Sequence, residues 1–183
     1  MPFIGLSHPR GPRPDARLTL GAMAPHEPTG PEPLQLVAFL RHVGCPFAEH
    51  TVKRLRHWAE AHPEVGVTVV SHGDADVTQH WLQAIGGLGA LRLVIDTDRQ
   101  THARWGLGES GLWHFAGPAS LRGVVRLWAR GIRNRDASGT RWQRAGVFLI
   151  EHGRVQWLHV PRSAEGFRLP VLQGSQAVAF VPR

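Results

Sequence analysis

The sequence predicts an α/β chain with a central mixed sheet flanked by helices and an insertion before a C-terminal β-hairpin. Three observations carry this. The run Leu34 to Leu40 is almost continuously apolar, which suits a strand buried on both faces and is too short to span a membrane. Strand-like and helix-like periods then alternate in the order that right-handed βαβ crossovers require. Finally, two apolar runs either side of Glu151-His152-Gly153 read as an antiparallel hairpin.

Residues 1–33 are rich in Pro, Gly and His without a period, and are expected to form a flexible or extended N-terminal segment. Within them Leu18 to Leu20 is a weak candidate for a short edge strand, and Met23 an alternative start. Residues 34–183 form the expected domain. After Leu40 the chain turns at Gly44-Cys45-Pro46, and the period becomes helical. Phe47, Thr51, Leu55, Trp58 and Ala59 share one side, with Glu49, Lys53, Arg56 and Glu60 on the other. Pro46 suits the first helical position. His62-Pro63 ends that helix, and Val65 to Val70 is a second strand.

A capping aspartate, Asp74 or Asp76, opens a helix through Ile85 with Val77, Trp81, Leu82 and Ile85 at helical spacing, and Gly86-Gly87 closes it. Leu91 to Ile95 is a third strand and Arg99 to Trp105 a short helix. The segment 106–143 breaks the rhythm and is read as an insertion folded over one end of the sheet. It contains one helix, with Pro118 in its first turn and an apolar stripe of Leu121, Val124, Val125 and Trp128, then a polar loop from Gly131 to Thr140. The hairpin strands are Ala145 to Ile150 and Arg154 to Val160, and Arg162 to Arg183 are expected to form a short terminal helix or irregular cover.

Composition bounds the function. A hydrophobic content of 42% and seven Trp in 183 residues support a packed core. The net charge of +7 comes from arginines scattered along the chain, Lys53 being the only lysine, so no specific nucleic-acid partner is expected. No apolar run reaches membrane-spanning or signal-peptide length, which leads to an expectation of a soluble, cytoplasmic protein with no membrane partner. Twelve histidines contain no HxH or HExxH pattern, and His50 and His57 stand seven apart, so neither a metal nor another cofactor is expected. Gly86-Gly87-Leu88-Gly89 follows a helix and precedes a strand, the wrong order for a phosphate loop.

The single cysteine, Cys45, excludes an internal disulfide. It falls where a strand's C-terminal end meets a helix N-terminus, and unpaired N–H groups there favour thiolate over thiol. Arg41 is near enough in sequence to add to that field. A cysteine in an apolar run is usually inert packing. The flanking Gly44 and Pro46 place this one on a turn, which favours reactivity.

The strings FLRHVGCPFAEH and RWQRAGVFLIEHGRVQWLH, in this order of elements, resemble the peroxiredoxin-like family of alkyl hydroperoxide reductase and thiol-specific antioxidant relatives (AhpC/TSA), over residues 34 to 160. The resemblance implies a thioredoxin-like fold with Cys45 as peroxidatic nucleophile, Gly44, Pro46 and Phe47 around it, and Arg144 stabilising its thiolate. Ala48 stands where relatives often carry a second cysteine, and Ala38 and His42 stand where true peroxiredoxins have Pro and Thr or Ser. His42 would supply the hydrogen bond of the missing hydroxyl. Ala145-Gly146 replaces the cis-proline of thioredoxins. Trp105, Trp113, Trp128 and Trp142 suit core or lid packing, and Trp113 or Trp142 could wall a pocket for an organic peroxide or disulfide.

The expected function is therefore a single-cysteine thiol oxidoreductase that reduces a hydroperoxide through Cys45, with an external thiol, glutathione or a thioredoxin-like protein, as reductant. The alternative is an inactive redoxin-fold binding module. Relatives of this kind often form homodimers.

Overall fold

The computed structural model describes residues 10–111, 114, 117–173 and 176–178. Strand β1 (Leu34–Phe39) lies at the centre of a five-stranded sheet. On one side it pairs in parallel with β2 (Gly66–Ser71), which pairs in parallel with β3 (Arg92–Ile95). On the other it pairs antiparallel with β4 (Gly146–Glu151), and the turn at His152-Gly153 returns the chain as β5 (Arg154–His159). The order β3-β2-β1-β4-β5 is the mixed sheet expected from the alternation of periods.

The unbroken apolarity of β1 has a simple cause. Alternate side chains of a strand point to opposite faces, and both faces are covered. Leu36, Ala38 and Leu40 join the larger core with Val52, Leu55 and Trp58 of α1 (Pro46–Ala61), while Val37 and Phe39 join a second core with Trp105, Leu107, Phe148 and Ile150. Helix α2 (Ala75–Ala84) begins at Asp74, whose carboxylate accepts a hydrogen bond from Val77 N at 3.1 Å. Short α3 (Gln100–Arg104) follows β3, and α4 (Pro118–Ala129) lies within the segment between α3 and β4. The polar loop after α4 lies over the C-terminal end of β1: Val43 N donates to Ser138 O at 3.0 Å and Arg135 N to Gly44 O at 3.0 Å.

Four expectations are corrected. Glu49 is not on a solvated face: it is 2% exposed and accepts hydrogen bonds from Lys53 Nζ (2.6 Å) and Arg135 Nε (3.1 Å), so the loop covers the first turn of α1 and turns its carboxylate into an anchor. The stripe of α4 points outward, with Leu121 58%, Val125 65% and Trp128 50% exposed and Val124 half-buried. The helix packs instead through Leu127, Ser120 and Gly123. A Cβ on Gly123 would come within 2.8 Å of the Phe47 ring, and that close approach sets the rotation of the helix.

The N-terminal edge pairing falls not at Leu18 to Leu20 but at Met23, bridged to Arg154, with Gly21 N donating to Val155 O and Ala24 N to Gly153 O. After Pro161 the chain is irregular cover, as expected for one of the two alternatives, with Phe167 and Leu169 packed on the larger core and Trp58 Nε1 donating to Pro170 O. It then forms the hairpin β6 (Val171–Gln173) and β7 (Gln176–Val178) where a short helix was the other expectation.

Candidate active site

Cys45 is the N-cap of α1, with extended φ and ψ (−74°, 132°) and Pro46 immediately inside the helix. Two features of the sequence hold it there. Gly44 has φ +79°, and a Cβ on it would stand 2.3 Å from Asp136 O, so only glycine permits both the turn and the approach of the loop. Pro46 supplies a first-turn residue with no N–H to satisfy. Cys45 is 6% exposed, at the wall of an open cavity of about 580 Å³.

That cavity brings together six of the residues singled out from sequence: Arg41, His42, Gly44, Cys45, Pro46 and Phe47. The loop adds Asn134, Arg135, Asp136, Ala137 and Arg141, and Val124 and Ala164 complete an apolar side with Phe47. Arg41 is buried, and its Nε and Nη1 have no hydrogen-bond partner among the described residues, so a positive charge with no ion-pair partner among them lines the same cavity as the thiol. Burial pushes His42 well below the ordinary histidine range, and the neighbouring charges of Arg41, His72 and Arg141 add to the effect, so its ring is neutral near pH 7. Its Nδ1 is enclosed and unpartnered.

Behind His42 lies a buried imidazole cluster. His72 donates from Nε2 to the Thr140 carbonyl at 3.0 Å. Burial, then the neighbouring His102, drive its pKa to about 3. His102 packs edge-on against His72, with centroids 5.3 Å apart, and binds Asp96 through Nδ1 at 2.6 Å. Burial opposes ionisation of Asp96, but hydrogen bonds from the His102 ring and from the N–H groups of Thr101 and His102 outweigh it and bring its pKa to about 2. Among the described residues no three His, Cys, Asp or Glu side chains are grouped so as to hold a metal ion.

Other expected site residues lie elsewhere. Arg144 faces a separate cavity of about 690 Å³ with Trp105, Glu109 and Phe148, and its Nε donates to Glu109 O at 3.1 Å. That cavity is walled by Trp105, Phe148 and Leu158 of the second core, whereas Cys45 belongs to the larger core, and a Glu109–Gln143 bridge ties the stretch before β4 to the residues after α3. Trp142 is half-buried but absent from the Cys45 cavity wall, its carbonyl accepting from Ser110 N and Oγ. Trp113 lies outside the described residues. Sequence reasoning chose Arg144 by its place before β4 and passed over Arg141, three residues earlier, whose only signal was its position at the end of the polar loop.

The sheet order and the cysteine at the β1–α1 turn define a thioredoxin-like α/β protein of the peroxiredoxin type. The sequence profile described as AhpC/TSA antioxidant enzyme matches residues 53–163, more than half of the chain and beginning after Cys45, and the protein belongs to that family. Among solved structures, a peroxiredoxin-like protein from Aquifex aeolicus is similar with a TM-score of 0.58 and 14% identity, over 82% of this chain and 81% of the other. A thiol peroxidase from Chromobacterium violaceum matches at 0.57 and 14%, over 85% and 84%. Peroxiredoxin 6 of Arenicola marina, in mutant form, matches at 0.58 and 12%, over 82% and 68%. At these identities the likeness establishes the fold. No curated protein matches the chain.

Proposed function

We propose that this protein is a single-cysteine thiol peroxidase acting through Cys45. The observation that carries the reading is the placement of the chain's one thiol at a helix N-terminus, in the wall of an open cavity beside Arg41 and Arg141. The Cys45 thiolate attacks one peroxide oxygen. An S–O bond forms as the O–O bond breaks, sulfur is oxidised to sulfenic acid, and the second oxygen leaves as an alkoxide that takes up a proton to become the alcohol. The guanidinium groups oppose the negative charge that develops on the departing oxygen. Neutral His42 offers the peroxide a hydrogen bond where relatives use a hydroxyl.

Because the chain has no second cysteine, the sulfenic acid must condense with an external thiol, releasing water and leaving a mixed disulfide. A second external thiol then releases Cys45 and departs as the disulfide. The open cavity suits a small thiol such as glutathione or the exposed cysteine of a thioredoxin-like protein. The competing reading, a redoxin-fold binding module without catalysis, draws on the 6% exposure of Cys45. Hydroperoxide consumption with glutathione or a thioredoxin system as reductant tests the proposal. Turnover by the wild type that is lost in Cys45→Ser supports it, and equal rates for the two proteins reject it.

A further inference from the structure

Helix α4 carries its apolar stripe outward. Leu121, Val125 and Trp128, each at least half exposed, lie one turn apart along one face. The inner face is occupied by Ser120, Gly123 and Leu127. What remains of the helix circumference, with the chain just beyond it, is basic: Arg122, Arg126, Arg130 and Arg133 are all exposed. No acidic residue occurs in the sequence from Gly111 to Arg135. Arg126 pairs with Glu165, whereas Arg122, Arg130 and Arg133 have no carboxylate partner among the described residues.

An exposed Leu-Val-Trp stripe flanked by arginines on one helix asks for an occupant that is apolar and anionic at once. A second copy of this chain does not meet that requirement. An antiparallel two-fold contact through the stripe would bring the arginine flanks of both copies together, and the helix has no acidic residue to pair them. An anionic lipid bilayer meets both conditions, with acyl chains for the stripe and phosphates for the guanidinium groups.

We propose that α4 is a peripheral docking surface for anionic membranes, with Leu121, Val125 and Trp128 seated at the headgroup boundary and Arg122, Arg130 and Arg133 on lipid phosphates. Docking of this kind needs no spanning segment, and among the described residues no helix is long and apolar enough to cross a membrane. The expectation of no membrane partner rests on the lack of an apolar run of membrane-spanning or signal-peptide length, which a peripheral helix does not need. Val124 of the same helix belongs to the wall of the Cys45 cavity, so a docked α4 holds that cavity beside the bilayer.

Co-sedimentation of the full chain with vesicles tests this. One set is phosphatidylcholine alone, and the other is phosphatidylcholine and phosphatidylglycerol in roughly equal amounts. The wild type is expected to partition onto the anionic set and not the neutral one. Val125→Gln/Trp128→Gln, which leaves the charge unchanged, is expected to weaken partitioning about tenfold or more. Arg122→Gln/Arg130→Gln, which leaves the stripe intact, is expected to weaken it by a similar factor. All four positions are exposed, so the fold and the peroxidase assay serve as controls. The proposal is overturned if the wild type does not bind the anionic vesicles, or if binding is indifferent to Val125→Gln/Trp128→Gln and so reports net charge alone. It is equally overturned if the wild type is a dimer that the stripe variant converts to monomer.

Discussion

Replacing Gly44 by alanine should loosen the loop that frames the thiol, and a second glycine provides the control. Gly44 and Gly131 both have φ +79°. A side chain at either position pays the left-handed conformational cost of roughly 1–2 kcal/mol. They differ in surroundings. A Cβ at Gly131 meets nothing within 4 Å, whereas at Gly44 it would stand 2.3 Å from Asp136 O and 2.7 Å from Arg135 O. Those are backbone atoms of the loop and cannot yield by a rotamer change. Relief requires the loop to move, breaking the Arg135 N to Gly44 O bond and weakening the Val43–Ser138 bridge. At about 1 kcal/mol per hydrogen bond the added loss is roughly 2 kcal/mol, for a total on the order of 3–4 kcal/mol against 1–2 kcal/mol for Gly131→Ala. Denaturant unfolding of both variants measures the difference, and maleimide labelling of Cys45 reports the loop. Gly44→Ala should label faster than wild type and Gly131→Ala should not. Equal destabilisation by the two substitutions, with unchanged labelling, would refute the claim that the loop is seated on Gly44.

Acidification should destabilise the fold through its buried histidines. His72 has a folded pKa near 3, below its unfolded value, so the unfolded chain binds the extra proton. Stability is full above the unfolded value and falls as pH drops towards 3. His72 alone should remove about 2 kcal/mol between roughly pH 6.5 and 5, and His114, brought to about 4 chiefly by burial, acts in the same direction. Urea midpoints at both pH values check this, and a flat profile would contradict it. Glu49→Gln removes the charge that holds Lys53 and Arg135 and should cost about 2 kcal/mol, discounted because both cations are partly exposed. Circular dichroism melts of that variant read the loss. Arg41→Met should lower kcat/KM for hydroperoxide by roughly 100-fold, while Arg144→Ala should stay within about twofold of wild type. Equal losses from the two arginines would mean that the placement of Arg144 outside the Cys45 cavity is wrong.

Elements whose period is set by local burial were legible. Continuous apolarity marked β1 as the central strand, Asp74 and Gly86-Gly87 bracketed α2, and the turn at His152-Gly153 marked the hairpin. The Gly44-Cys45-Pro46 turn placed the thiol correctly because Gly and Pro impose backbone geometry regardless of what surrounds them. What failed depended on contacts between distant parts of the chain. Glu49 looks solvated until the loop residue Arg135 reaches it. The face that α4 buries is chosen by the fit of Gly123 against Phe47, which outweighs the helix's own amphipathicity. Arg141 and Arg144 are both short steps before β4, yet the first lines the Cys45 cavity and the second a cavity with Trp105, Glu109 and Phe148, residues that the sequence next to either arginine does not point to.

The central claim is that Cys45 is the reacting atom of a peroxidase regenerated by external thiol. The most direct test follows hydroperoxide consumption by wild type and Cys45→Ser side by side, with mass spectrometry of the wild-type protein quenched before reductant is added. The account predicts turnover only in the wild type, together with a mass increase of one oxygen on Cys45 that disappears when thiol is supplied. Turnover by Cys45→Ser, or a wild-type protein that neither gains oxygen nor consumes peroxide, would contradict it.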